Sequence, residues 1–164
     1  MPDHAHALRL LVIEDSMVDA ALLQGLLADE FSAAECVCVS TLAEAAPHLA
    51  WADAVVLDLI LPDATPEESI AWIPTCPKPV VVHSGNTDRA TVEAAANAGA
   101  LNYVCKGSSV QQMVVGVEFA MAEHRRVSER RQRRDYHIRD LLEKLELAKS
   151  ADIGETKDGD RSTH

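Results

Sequence analysis

The chain has 164 residues, of which 48% are hydrophobic and 25% are charged, and its formal net charge is -11. This composition is that of a folded globular protein and excludes a disordered chain. The acidic excess argues against nucleic acid or an anionic membrane surface as the main partner. No apolar run reaches the roughly 18 residues of a membrane-spanning helix, and no basic leader with a cleavage site is present, so we expect a cytoplasmic protein without a membrane partner.

The charge is unevenly distributed along the chain. Residues 1–122 hold 16 acidic and only 4 basic side chains, whereas residues 123–149 hold 9 basic and 6 acidic ones. Residues 150–164 are polar and contain almost no apolar side chains, which is typical of disorder. We therefore predict a folded domain over 1–122, a helical segment over 109–149 and a disordered tail over 150–164.

Short apolar runs alternate with helix-forming segments through the folded domain. The predicted strands are Leu8–Ile13, Cys36–Val39, Ala54–Leu59, Val80–His83 and Leu101–Cys105. The predicted helices between them are Val18–Ala28, Leu42–Ala50, Pro66–Ile73 and Asp88–Ala98, and a fifth begins near Ser109. Strands that are apolar on both faces and separated by helices indicate a parallel sheet covered on both sides. The fold class is thus α/β, with a doubly wound five-stranded parallel sheet.

Several residues mark the ends of the predicted helices. Ser16 precedes the first helix, and Thr41 precedes the second with Glu44 three residues later, which is the spacing of a capping box. Asp88 opens the fourth helix and Gly99 closes it. The four cysteines show no metal-ligand spacing, and we expect them to be buried, reduced thiols.

The fifth helix continues far beyond the folded domain, because residues 109–149 contain no Pro and only one Gly. Along it, mostly apolar residues recur at alternating steps of four and three. They are Met113, Val117, Ala120, His124, Val127, Arg131, Arg134, Ile138, Leu141, Leu145 and Ala148. This spacing is typical of a coiled coil, so we expect a homodimer through residues 109–149. The alternative is a single solvated helix with many charge pairs.

Polar residues stand where four of the strands end. Glu14 and Asp15 follow the first strand and Asp58 lies at the end of the third, while Ser84 and Lys106 follow the fourth and fifth. Functional groups of open α/β sheets gather at this edge. Three carboxylates together need a cation, and their hard oxygens suit Mg²⁺. A carboxylate beside such an ion can attack phosphorus, giving an aspartyl phosphate.

The segments LVIEDS, VVLDLILPD, VVVHSG and YVCKG resemble the receiver domain of two-component response regulators, over residues 8 to 122. The resemblance implies the flavodoxin-like strand order 2-1-3-4-5. It implies that Asp58 is the phosphoacceptor and that Lys106 contacts the phosphoryl group.

The same resemblance implies a metal site and a switch. Glu14 and Asp15 correspond to the acidic pair that holds Mg²⁺ together with Asp58 and the backbone carbonyl of Ile60. Ser84 corresponds to the switch hydroxyl, and Tyr103 to the aromatic switch, although a packing ring is its alternative. In one departure from the family, Gly107 stands where many receivers have Pro.

We therefore expect a response regulator that takes a phosphoryl group from a sensor histidine kinase and signals through protein contacts, and is not an enzyme acting on a separate substrate. Two alternatives stay open. The domain is a phosphorelay intermediate or sink that passes the group to a histidine phosphotransfer protein, or it is an adaptor whose basic helix, including HRRVSERRQRR, binds nucleic acid. A third, in which His137 is itself a phosphodonor, is weaker because Ile138 follows it where an acidic residue is expected.

Overall fold

The computed structural model describes residues 7–31 and 34–155. The chain divides into two units, residues 1–124 and residues 125–164. The strands are β1 (Arg9–Ile13), β2 (Glu35–Val39), β3 (Ala54–Leu57), β4 (Val80–Ser84) and β5 (Asn102–Cys105). The α-helices are α1 (Met17–Glu30), α2 (Leu42–Ala45), α3 (Pro66–Trp72), α4 (Arg89–Ala98) and α5 (Val110–Glu155). Within the described ranges, no helix is both long and apolar enough to cross a membrane.

All five strands pair in parallel, in the order β2-β1-β3-β4-β5. The predicted doubly wound α/β sheet and its strand order are therefore confirmed. β1 lies between β2 and β3, and its residues Leu10 to Ile13 have no exposed surface. Burial of both faces explains why the strands appear in the sequence as unbroken apolar runs.

Alternate residues of the strands enter two separate apolar clusters. Leu11, Val55 and Val82 contribute to the cluster on one face of the sheet, with side chains from α2 to α4. Their neighbours Leu10, Val56 and Val81 contribute to the other cluster, with side chains from α1 and α5. The second cluster includes three members of the predicted coiled-coil spacing, which are Met113, Val117 and Ala120. These residues fill the core of their own unit, so only the later members are available to another helix.

The predicted caps are confirmed, and two helices are shorter than predicted. The side chains of Ser16, Thr41 and Asp88 each accept a backbone N–H in the first turn of their helix, and Gly99 ends α4 with φ of 107°. The second helix was predicted to run to Ala50, but a 3₁₀ turn over Ala46–His48 follows α2. Pro47 lacks an N–H and favours this change. Pro74 lies likewise in a 3₁₀ turn over Ile73–Thr75 after α3.

The long fifth helix is confirmed, and its predicted end at residue 149 is too early. α5 continues to Glu155, so the first six residues of the predicted disordered tail are helical. Residues 156–164 of that tail lie outside the described residues. At 1.5 Å per residue the 46-residue helix is about 69 Å long.

The cysteines are less buried than predicted. Cys38 is exposed and the other three are half-buried. Cys36 and Cys38 lie on β2 and Cys105 on β5, which are the edge strands of the sheet, and Cys76 lies in the segment before β4. Burial nevertheless raises the pKa of Cys36 to about 11 and also raises those of Cys38 and Cys76. These thiols therefore stay protonated and weakly nucleophilic near neutral pH.

Candidate functional site

Backbone hydrogen bonds between neighbouring strands bring the predicted site residues to one edge of the sheet. Glu14 N–H donates to the carbonyl of Val39, and Asp58 N–H donates to that of Ile13, both at 2.9 Å. Lys106 N–H donates to the carbonyl of Ser84 at 3.0 Å. The ladders therefore extend to the site residues themselves, and the rigid sheet positions their side chains.

Glu14, Asp15 and Asp58 form a cluster in which each offers an oxygen within 4.8 Å of the others. Glu14 and Asp58 are each only 4% exposed, whereas Asp15 is exposed. One oxygen of each buried carboxylate accepts a nearby backbone N–H: Glu14 Oε1 from Ser16 at 3.0 Å, and Asp58 Oδ1 from Ile60 at 3.2 Å. The loops after β1 and β3 thus hold the two buried carboxylates in place.

The ammonium of Lys106 lies against these carboxylates. Its Nζ is 2.8 Å from Glu14 Oε2 and 2.8 Å from Asp58 Oδ2. It is also 3.0 Å from Oδ2 of Asp19, in the first turn of α1. Burial acts to lower the pKa of Lys106, but its hydrogen bonds to the three carboxylates outweigh burial and raise it above the ordinary value. The lysine is therefore charged at all physiological pH values.

Negative charge is in excess at this edge, since the Lys106 ammonium contacts three carboxylates and a fourth, that of Asp15, lies in the same cluster. Burial raises the pKa of Glu14, while the hydrogen bond from Lys106 acts against that rise. The hydrogen bond from Lys106 is also what lowers the pKa of Asp19. Such a cluster is stabilised by a further cation.

The residues present fit a divalent cation of the Mg²⁺ type. All three clustered side chains offer hard carboxylate oxygens, and the exposed side of Asp15 leaves room for the waters that Mg²⁺ retains. Ile60 lies three residues after the end of β3, and its backbone N–H contacts Asp58. The role of the Ile60 carbonyl as a ligand stays a prediction.

Ser84 and Tyr103 lie at the same edge, on β4 and β5. Ser84 is fully buried, and its Oγ accepts the N–H of Asn86 at 3.3 Å. The Tyr103 hydroxyl donates to the carbonyl of Asn86 at 2.6 Å. Burial raises the pKa of Tyr103, and a hydrogen bond with Ser84 acts against it. Both side chains therefore contact the loop between β4 and α4.

Gly107 lies in the turn that connects β5 to α5. Its φ is 87°, in the left-handed region that disfavours other residues, and α5 begins three residues later. Glycine at this position therefore permits the turn that follows Lys106.

Two residues of the site were not predicted from the sequence. Asp19 contacts Lys106 across 87 residues of sequence, so no local spacing indicates the pair. His83 was predicted only as a strand residue, yet its half-buried side chain lies within the electrostatic influence of Lys106, Asp58 and Asp19. A polar residue at the end of an apolar strand was the one available signal for His83.

The position of His83 gives a prediction for stability against pH. Burial, and then the charge of Lys106, lower its pKa from the ordinary value of 6.5. The unfolded chain therefore binds more protons than the folded one near that pH, and stability falls as the pH drops through about 6.5. We expect the melting temperature of His83→Gln to fall less than that of the wild type as the pH is lowered from about 8 to 5.5.

His124 provides the comparison for this experiment, since burial also lowers its pKa. His124→Gln should also reduce the dependence of stability on pH, independently of His83→Gln. If the His83→Gln and wild-type proteins lose stability equally over this range, His83 does not carry a depressed pKa.

No family model matches the sequence, and no curated protein matches it. A signal receiver domain of a Luxo repressor protein from Vibrio parahaemolyticus superposes with a TM-score of 0.66 at 20% identity, covering 75% of this chain and 96% of its own. A CheY-like response regulator receiver domain protein from Methanospirillum hungatei superposes at 0.63 with 18% identity, covering 74% and 98%.

The phosphorylated cyanobacterial phytochrome response regulator RcpA is also similar, with a TM-score of 0.56 and 26% identity over 68% of this chain and 89% of its own. The superpositions cover between 89% and 98% of the neighbours' own lengths. The chain therefore has the fold of the response regulator receiver domains, with a long C-terminal helix.

Proposed function

We propose that the chain is a response regulator that accepts a phosphoryl group on Asp58 from a sensor histidine kinase in the cytoplasm. The observation that carries this proposal is the buried Asp58 carboxylate, which lies beside two further carboxylates and 2.8 Å from the Lys106 ammonium. A structural ion pair needs one carboxylate for one ammonium, whereas Lys106 contacts three carboxylates and a fourth, that of Asp15, lies in the same cluster. The excess of carboxylates suits a site that binds a cation and a phosphoryl group.

The chemistry follows from the positions of the side chains. An oxygen of Asp58 attacks phosphorus and forms an O–P bond, while the bond from phosphorus to the donor breaks and its electron pair leaves with the donor. Lys106 is placed to donate to the new phosphoryl oxygens, because its Nζ already contacts Asp58 Oδ2. Glu14, Asp15 and Asp58 would hold Mg²⁺, which neutralises charge on the phosphoryl oxygens when bound.

The readout of phosphorylation is assigned to Ser84 and Tyr103. The Ser84 hydroxyl would turn toward a phosphoryl group on Asp58, and its contact with Asn86 N–H would then be lost. Tyr103 also holds this loop, through the carbonyl of Asn86. A movement at Ser84 would thereby change the loop, the tyrosine and the start of α4 together.

The test is mass spectrometry of the intact protein after incubation with acetyl phosphate. With Mg²⁺ we expect the mass of one phosphoryl group to be added, and with a chelator we expect none. Neutral hydroxylamine should remove the modification, because it cleaves an acyl phosphate and leaves a serine phosphate ester intact. An unmodified protein in the presence of Mg²⁺ would overturn the proposal.

We assign the signalling output of the protein to a homodimer. Its two copies would pair through the exposed part of α5. In residues 125–151 the side chains of Val127, Ile138, Leu141 and Leu145 are between 46% and 53% exposed. They recur at the steps of a coiled coil and leave an apolar stripe that a second copy would cover. Arg131 and Arg134 interrupt the stripe, so the pairing should be strongest from residue 138 onward.

We expect Leu141→Glu to convert the dimer into a monomer, because a carboxylate at this position would be buried in the apolar stripe. Light scattering should report about half the wild-type mass, with dimer affinity reduced by at least about 30-fold.

Leu147→Glu is the matched control for this substitution. Leu147 is also a large exposed residue of α5, at 65%, but lies off the stripe. The mass of the Leu147→Glu variant in solution should equal that of the wild-type dimer. A wild-type protein that is monomeric with and without phosphorylation would contradict the dimer.

A further inference from the structure

The ammonium of Lys106 has three N–H groups and three carboxylate partners. Glu14 and Asp58 supply two of them, and both carboxylates are buried at the sheet edge. The third is Asp19 at 3.0 Å, whose side chain is 38% exposed. Asp19 differs from the others because it lies on α1 and is not part of the acidic cluster that could hold a metal ion.

A divalent cation and Lys106 compete for the same oxygens. Glu14 Oε1 accepts from Ser16 and Oε2 contacts Lys106, so both oxygens of this carboxylate are engaged. Asp58 is engaged in the same way, by Ile60 at Oδ1 and Lys106 at Oδ2. Each oxygen has a second lone pair, but a divalent cation held by these carboxylates repels the ammonium. The cation therefore weakens their contacts with Lys106, and a further carboxylate partner for the ammonium becomes favourable.

We propose that Asp19 is a positioning residue for Lys106, which anchors the ammonium when a divalent cation takes oxygens of Glu14 and Asp58. This assignment rests on the proposed function, because it concerns the same site. Asp19 lets the cation enter without expelling the lysine, so Lys106 stays within reach of a phosphoryl group on Asp58.

The local structure of α1 supports this role. The Ser16 hydroxyl accepts the N–H of Asp19 at 3.2 Å and fixes the first turn of the helix. A carboxylate in the first turn of a helix is stabilised by the unpaired N–H groups there. The hydrogen bond from Lys106 also lowers the pKa of Asp19, so the anchor is ionised at neutral pH.

The experiment measures Mg²⁺ affinity by calorimetry in the wild type, Asp19→Asn, Lys106→Met and the double variant. We expect Asp19→Asn to weaken Mg²⁺ binding about fivefold, because Lys106 then withdraws onto Glu14 and Asp58. In the Lys106→Met background the same substitution should change affinity by less than about twofold, which a double-mutant cycle reports directly. Asp19→Glu, which keeps the charge, should restore most of the affinity.

Glu67→Gln is the matched control, since it removes a charge from the first turn of α3 and is not in contact with Lys106. An equal loss from Asp19→Asn in both backgrounds would mean that Asp19 attracts the cation directly, and would overturn the proposal. Unchanged affinity in Asp19→Asn would overturn it too. Both outcomes leave the proposed function standing, whereas a wild type that binds no Mg²⁺ removes the cation site and this role together.

Discussion

Replacing Asp58 with Asn is expected to abolish phosphorylation, lowering the rate of phosphoryl transfer from acetyl phosphate by at least about a thousandfold. The amide has nearly the same shape as the carboxylate but lacks the nucleophilic oxygen. Intact-mass spectrometry in the presence of Mg²⁺ should therefore show only the unmodified protein. Asn keeps one oxygen, which can accept either the N–H of Ile60 or a proton of Lys106, so one of the two contacts is lost. Because the side chain keeps its volume and one of these contacts, the fold should persist.

Asp29→Asn is the control for this experiment, since Asp29 is an exposed residue of α1 away from the sheet edge. It should be phosphorylated like the wild type. A phosphoryl group that still adds to Asp58→Asn would show that another residue is the acceptor. The exposed Asp15, which lies in the same cluster, would then be the first candidate.

Replacing Lys106 with Met should have the largest effect on stability, lowering the free energy of unfolding by about 3 kcal/mol without divalent cation. The substitution leaves Glu14 and Asp58 buried, adjacent and without their shared ammonium. The loss should shrink as Mg²⁺ is added, because the ion replaces the missing positive charge and binds only the folded state. It should also shrink at low pH, because burial raises the pKa of Glu14 and favours its neutral form there.

Urea unfolding, with and without Mg²⁺, measures this effect. Arg89→Met is a useful control, because Arg89 forms a short ion pair with Glu93 at 2.7 Å but is 90% exposed. Loss of this exposed ion pair should lower the free energy of unfolding by less than about 0.5 kcal/mol. If Lys106→Met unfolds at the wild-type urea concentration in the absence of Mg²⁺, the buried carboxylates do not depend on the lysine.

The fold was predictable because it is encoded in local patterns. Each strand is an apolar run and each helix begins at a residue such as Ser16 or Asp88 that accepts the first free N–H groups. Parallel strands then place Glu14, Asp58 and Lys106 at one edge, whatever the details of packing. The predicted end of the second helix was wrong because a single residue, Pro47, changes the local geometry after α2.

The sequence pattern could not show which part of the long helix packs in the core of its own unit and which part leaves an exposed apolar face. Val117 and Ile138 occupy equivalent positions in the spacing, but Val117 is fully buried in the core of its own unit and Ile138 is 46% exposed. Periodicity reports only that a face is apolar, and any apolar surface can cover it. The tertiary structure decides which part of α5 is left for a partner.

The sequence alone determined the parallel sheet, the order of its elements and the carboxylates and lysine at its carboxyl edge, since these depend on local periodicity and on strand direction. Only the tertiary structure decided which groups share the Lys106 ammonium. Its contact with Asp19 joins the end of β5 to the first turn of α1, 87 residues earlier. A contact between distant segments depends on how a helix packs on the sheet, and no repeat or spacing along the chain encodes that packing.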